Sequence, residues 1–361
     1  MRTRALTSKG YAGDGSAAGL ASRSSTALFA VFLFAAIATV FGCKPRGSFT
    51  AATPGPQAHA PFRVALLTPG PVSDAGWNAA AFDGLRLIKE HLGAETALVQ
   101  TTSPADFDDA FRDFATRGFN LVFAHGFEYT DAALKAGHDF PRTYFLVTSG
   151  SGSSANVASL SFQIEQAAYV EGVLAGEMTK TGVAGAVGGI ELPAIKLTFD
   201  GFRRGFQSVR PGGRVLTSFI GSFDDVGAAK EAALAQISQG ADMLFHDADA
   251  AGLGVFDAAG QAHIYAFGAN RNQNAVAPEV VLASAVTSIP QAFLKIAAEV
   301  KAGDFRPAML ELGMKDGMVH VIINPHLESR IPASALAAMK HAEQQIESGA
   351  IVFQSLPGSK G

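Results

Sequence analysis

From Phe62 the chain alternates short apolar, β-rich runs with segments of helical period, and then repeats the alternation. The first set of strands is expected at 63–70 (RVALLTPG), 97–102 (ALVQTT), 121–126 (LVFAHG) and 144–150 (YFLVTSG), with helices near 76–92, 105–117 and 128–138. The second set is expected at 183–190, 214–221, 242–248 and 263–269, with helices near 164–180, 193–209, 225–238 and 252–260. Strands separated by helices of this length build a parallel sheet covered on both faces. Two such blocks in succession predict an α/β protein of two doubly wound lobes. Ligands of such sheets bind beyond the carboxyl ends of the strands. A tail carrying a strand at 280–286, a helix from Thr287–Pro290 to about 302, a strand at 317–324 and a helix at 332–347 is too small for a third lobe. It is expected to complete the first two, so that the chain crosses between them several times and forms a multi-strand hinge.

The residues before Phe62 predict export. Arg2, Arg4, Lys9 and Arg23 stand against Asp14, and the uncharged run TALFAVFLFAAIATVF (26–41) follows. It is shorter than the roughly 20 apolar residues that span a bilayer. A basic start and a short apolar core describe an export signal. Val40-Phe41-Gly42-Cys43 at its end resembles the lipobox of bacterial lipoproteins, in which the cysteine is acylated and becomes the mature N-terminus. Cys43 is the only cysteine, so the exported chain cannot close an internal disulfide. An ordinary cleaved signal with a chance cysteine is the competing reading. Residues 1–42 are thus expected to be a signal peptide and 43–61 an Ala/Pro/Gly/Ser-rich tether. The lobes are placed at 62–150 with 287–316, and at 151–286 with 317–350. The expected location is the membrane surface, periplasmic or on the outer face of the cell membrane.

Composition and motif content narrow the chemistry. A formal net charge of −4 with no basic cluster argues against nucleic acid as a partner. Nucleophile elbows, zinc-protease helices, phosphate-binding loops and C-x-x-C pairs are not found, and the nine histidines show no ligand spacing. No catalytic residue, metal ligand or cofactor is therefore expected. The strand-end loops carry aromatic, amide and carboxylate groups suited to reversible binding. The sharpest is Gly70-Pro-Val-Ser-Asp74-Ala-Gly-Trp77-Asn78. Asp74 is placed to cap the following helix, to contact a ligand, or both. Trp77, the only tryptophan, is a stacking platform or an anchor under the loop.

This loop resembles the Asp-x-x-Phe/Trp-Asn signature of the basic membrane protein family, lipoproteins that serve as purine-nucleoside receptors for ABC transporters. Further segments are similar in order and spacing: His125-Gly126-Phe127, Asn156 to Phe162 with Glu165 and Tyr169-x-x-Gly172-x-x-Ala175-Gly176, Gly188 to Pro193 with Phe199-x-x-Gly-Phe-x-x-Gly-Phe206, and Ala250 to Val255. The resemblance spans about residues 62–350. It implies the type I periplasmic-binding-protein fold, a small purine-like ligand trapped between two lobes, an ABC permease as partner, and action as a monomer.

Carried over residue by residue, the resemblance implies Asp74, Trp77, Asn78 and Phe127 on the first lobe and Phe199 on the second, although helix-to-sheet packing explains Phe199 equally well. Gly252 and Gly254 match positions where a side chain would obstruct the ligand, or simply a tight strand-to-helix turn. Three positions depart from the pattern. Ser149 stands where an Asp is usual, Asn270 replaces the first Asp of Gly-x-Asp-x-Asp-Gln, and Gln291 replaces the Lys of Thr-Ser-x-x-Lys. These exchanges replace charged groups by neutral ones, which favours a free base over a nucleoside. The alternative to import is a ligand-sensing lipoprotein of the same fold that signals to a membrane partner.

Overall fold

The computed structural model describes residues 60–74 and 76–354. Cys43, the signal segment and nearly all of the tether lie outside the described residues. The chain runs β1 (Arg63–Thr68), α1 (Trp77–Leu92), β2 (Glu95–Gln100), α2 (Pro104–Thr116), β3 (Leu121–His125), α3 (Thr130–Asp139), β4 (Tyr144–Thr148) and β5 (Val157–Phe162). It continues α4 (Ile164–Met178), β6 (Val183–Gly188), α5 (Pro193–Val209), β7 (Arg214–Phe219), α6 (Val226–Ser238), β8 (Met243–Asp247), α7 (Gly252–Ala262), β9 (Tyr265–Gly268) and β10 (Val281–Thr287). The tail supplies α8 (Ile289–Ala302), β11 (Met309–Leu312), β12 (Val319–Ile323) and α9 (Ala333–Glu347).

The strands form two six-stranded sheets, ordered β11-β5-β4-β3-β1-β2 and β12-β10-β9-β8-β6-β7. All pairings in the first are parallel. In the second only β10–β12 is antiparallel. Read outward from their first strands, both sheets have the same winding. The order reverses between β1 and β3 in one and between β6 and β8 in the other, and a ligand is expected outside the carboxyl ends at such a reversal. The strands flanking both reversals are almost fully buried, as parallel strands covered on both faces must be.

Two elements differ from the sequence-based expectation. VASLSF (157–162) is a strand, and its pairing with β4 places it in the first sheet, so the crossing to the second lobe falls after Phe162 rather than at 150. MLEL (309–312) is a four-residue edge strand on β5, half-buried and too short to register as a periodic run. The chain crosses between the lobes three times: after β5, after β10 and after β11. Backbone bonds stitch these crossings together, Gln163 N–H to Leu312 O at 2.9 Å and Ser288 N–H to Met318 O at 2.8 Å. The Met314 amide adds a bond to the Gln166 side chain at 2.7 Å.

Within the second lobe α4 is buried over Ile164–Gly176, because it lies against the sheet on one side and against α5 and α9 on the other. Its Gly172 and Gly176 meet the backbone of α5 at Phe202 and Phe206, while Gly201 and Gly205 of α5 meet the backbone of α4 at Glu165 and Tyr169. The Gly-x-x-x-Gly spacings on both helices therefore serve a backbone-to-backbone crossing. Glu171 is the most deeply buried of three buried polar residues on α4, with Glu165 and Gln166, and burial raises its carboxyl well above the usual range against the pull of the Ala285 backbone.

Candidate functional site

The β1–α1 loop is built around Asp74. One carboxylate oxygen accepts from the amides of Gly76 (3.0 Å) and Ala79 (2.9 Å). The other accepts from the amide (2.8 Å) and side-chain Nδ2 (2.9 Å) of Asn78. Asp74 is thus fully engaged in satisfying the free N–H groups of the first turn of α1. The capping alternative accounts for both of its oxygens.

The cap holds Trp77 at the carboxyl edge of the first sheet. The half-buried indole stacks on His125 at the end of β3, with ring centroids 4.2 Å apart and planes 23° from parallel. His125 is buried and pinned at both nitrogens. Nε2 lies 3.0 Å from the Trp77 carbonyl and so donates its proton there, leaving Nδ1 to accept from the Thr148 hydroxyl at 3.0 Å. Desolvation pulls the imidazole down to about 3, so it is neutral throughout the physiological range. Phe127 follows immediately and is 53% exposed, an open apolar ring beside the stacked pair's strand end.

On the second lobe two acids stand at the carboxyl end of β8. Asp247 ends β8 and is 7% exposed; Asn270 Nδ2 donates to it at 3.1 Å. Burial pushes its carboxyl up to about 6, against the pull of Asn270 and Thr198. Asp249, two residues on, lies against the first lobe: a Cβ on Gly76 would sit 2.8 Å from its Oδ1. Burial, then the neighbouring Asp247 and Asp74 carboxylates, push Asp249 up to about 8, while the Trp77 backbone draws it down. The carboxyl ends of the two sheets therefore face each other across this seam. At its rim Arg271 joins Asp83 of α1 at 3.0 Å.

Three of the four non-glycine residues with positive φ among the described residues follow strand ends in this region: Ser149 (54°), Asp249 (46°) and Asn270 (67°). Left-handed backbone costs energy outside glycine and concentrates at functional sites. Ser149 is half-buried beyond β4, and its amide is tied to Leu160 O at 2.7 Å. Asn270 is buried, its carbonyl accepting from both the amide and the hydroxyl of Thr287.

Several expectations need correction. Phe199 is 1% exposed, packed between Phe219 and Phe245 in the second-lobe core, so the packing explanation holds and no ring face is free. Gly252 and Gly254 owe their identity to α7 packing, because a Cβ would fall 2.2 Å from the His246 ring and 2.1 Å from the Val226 carbonyl oxygen. Gln291 is exposed on the first turn of α8, whereas Asn270 is buried, so the two do not share an enclosed subsite. The cleft is not depleted of carboxylates either: Asp247 and Asp249 lie at its second-lobe edge. The signal was legible as two acids in HDAD at a strand end.

Two parallel-rich lobes wound alike, hinged at three crossings and meeting at an aromatic- and carboxylate-lined seam, define a ligand-trapping protein. Residues 62–350 match the family model described as ABC transporter substrate-binding protein PnrA-like, and the chain belongs to this family. It is 28% identical over 300 residues to a purine-binding protein of Brucella abortus, covering 82% of this chain and 84% of that one. It is 25% identical over 296 residues to basic membrane protein A of Borreliella burgdorferi, covering 80% and 84%. An ABC transporter solute-binding protein from Aeropyrum pernix superposes with a TM-score of 0.74 at 21% identity, over 81% of this chain and 93% of that one. The fold is thus that of the periplasmic-binding proteins, as the resemblance implied.

Proposed function

We propose that this chain is the lipid-anchored receptor of an ABC importer and traps a purine-type base or nucleoside between its lobes, without catalysing its conversion. The observation that carries the ligand class is the Trp77 indole, half-buried at the reversal point of the first sheet and backed by a neutral imidazole 4.2 Å away. A flat ring held there on a rigid cap suits an aromatic heterocycle. The purine-binding relative points the same way. Calorimetry of the soluble domain against purine bases and their nucleosides tests it, with Trp77 emission as a second readout. Binding at micromolar affinity or tighter with a change in emission is expected, and silence toward every purine would rule the ligand class out.

The anchor is proposed from Cys43 at the end of the apolar run, since no helix among the described residues is long and apolar enough to cross a membrane. An acylated, multi-chain N-terminus supplies stable attachment. Cys43→Ser is expected to move the protein out of the membrane fraction or leave the precursor uncut. A mutant that still fractionates with membranes as a processed protein would exclude the lipid.

A further inference from the structure

The seam between the lobes carries two enclosed acceptor oxygens with no donor. One is Oδ1 of Asp249 on the second lobe; the other is Oδ1 of Asn78, a residue only 8% exposed whose amide nitrogen is committed to Asp74. The remaining orphaned side-chain oxygens among the described residues belong to Glu171 on α4 and Gln236 on α6, helices that cover the sheet. Asn78 and Asp249 instead follow the strands at the reversal points of the two sheets, and Asp249 lies against Gly76, two residues before Asn78. Buried acceptors left unpaired are costly, and a ligand that supplies donors recovers that cost.

The charges facing Asp249 are all of one sign: Asp247 from β8, Asp74 from the β1–α1 loop and Asp224 ahead of α6, with the Trp77 backbone as its favourable partner. Both titratable rings nearby, His125 and His246, are buried and neutral. No group of three or more potential metal ligands occurs among the described residues. A donor-rich organic group would supply what these two acceptor oxygens lack.

We propose that Asp249, assisted by the Asn78 amide oxygen, reads two adjacent N–H donors on the ligand edge, the guanidine-like N1–H and 2-amino pair of a 2-amino-6-oxopurine. This rests on the purine reading above and narrows it. A carboxylate accepts two parallel N–H bonds in one plane, and such charge-assisted pairs are the stronger kind. Burial and the facing Asp247 and Asp74 carboxylates push the Asp249 carboxyl up to about 8 despite the pull of the Trp77 backbone, so it holds its proton at neutral pH. Two ligand donors favour the ionised form, so the proton leaves to the buffer on binding.

The test compares ligands that differ only in the 2-amino group, guanine with hypoxanthine and guanosine with inosine, on wild type and Asp249→Asn. Asparagine tolerates the left-handed backbone at 249, so the variant is expected to fold. Wild type should prefer the 2-amino ligand by about tenfold or more, and calorimetry at pH 7 in buffers of different ionisation enthalpy should show proton release. Asp249→Asn should lose both the preference and the release. Equal affinities, a preference that survives in the variant, or binding without proton release overturns the proposal. If no purine binds, the ligand class proposed above and its 2-amino-6-oxopurine narrowing both fail, and benzamidine, a flat ring with two parallel N–H donors, decides separately whether Asp249 is a reader of paired N–H donors. Binding weakened in Asp249→Asn keeps that role; no binding, or binding unchanged, overturns it.

Discussion

Gly205→Ala is expected to destabilise the second lobe by about 3 kcal/mol, at the upper end of ordinary overpacking. The added Cβ would sit 1.9 Å from the Tyr169 carbonyl oxygen, 2.8 Å from its carbon and 3.0 Å from its Cα. All three are backbone atoms of α4, so no side-chain rotation relieves the clash and the two helices must separate. Separation would loosen Phe202 and Phe206 from the core that α5 shares with the sheet. Alanine's better helix propensity, worth about 1 kcal/mol over glycine, acts in the opposite direction and is outweighed. Gly260→Ala on α7 is the control. Its Cβ would meet only Val280 at an ordinary 3.4 Å, so the propensity gain should dominate and stability should hold or rise. Urea unfolding followed by far-ultraviolet circular dichroism measures both. A Gly205→Ala protein within 1 kcal/mol of wild type, by the ~1 kcal/mol propensity scale, would show that the α4–α5 crossing yields more easily than its geometry implies.

Trp77→Ala is expected to weaken ligand binding by about 1–3 kcal/mol, the range for loss of a base-stacking aromatic, or roughly 5- to 150-fold in Kd. The indole is the platform, and His125 behind it keeps the platform flat and uncharged. Because the chain has one tryptophan, wild-type emission reports this position alone. Trp77→Phe keeps a ring on the histidine and should recover much of the loss, whereas a general unfolding of the loop would not be recovered by a smaller ring. A Trp77→Ala protein with unchanged Kd and a lowered thermal midpoint would make Trp77 a packing residue under the loop.

The two-lobe architecture was readable because its causes are local. Apolar runs of strand length, separated by segments of helical period, specify parallel α/β units whatever lies around them. Asp74 is another local case: an acid just ahead of a helix finds free N–H groups in the next turn, and its cap follows from sequence separations of two to five residues. The lobe boundary was less legible, because VASLSF joins whichever sheet offers an edge, and that choice depends on β4 and β11 lying beside it.

The roles of the glycines, Phe199 and the acids were settled only by tertiary structure. Gly201, Gly205, Gly252 and Gly254 look alike as motif glycines, yet what each avoids is a particular backbone or ring brought close by folding. Phe199 has the same sequence signature whether it faces a ligand or the core, and the neighbouring Phe219 and Phe245 rings decide for the core. Asp247 and Asp249 are two ordinary acids in the chain. They acquire raised proton affinities because folding removes them from water and sets Asp249 against Asp247 and Asp74, with the Gly76–Trp77 turn of the other lobe beside it. Strand and helix identity comes from periodicity within a few residues. Desolvation and charge proximity depend on residues about 175 positions apart, and only the folded chain brings those together.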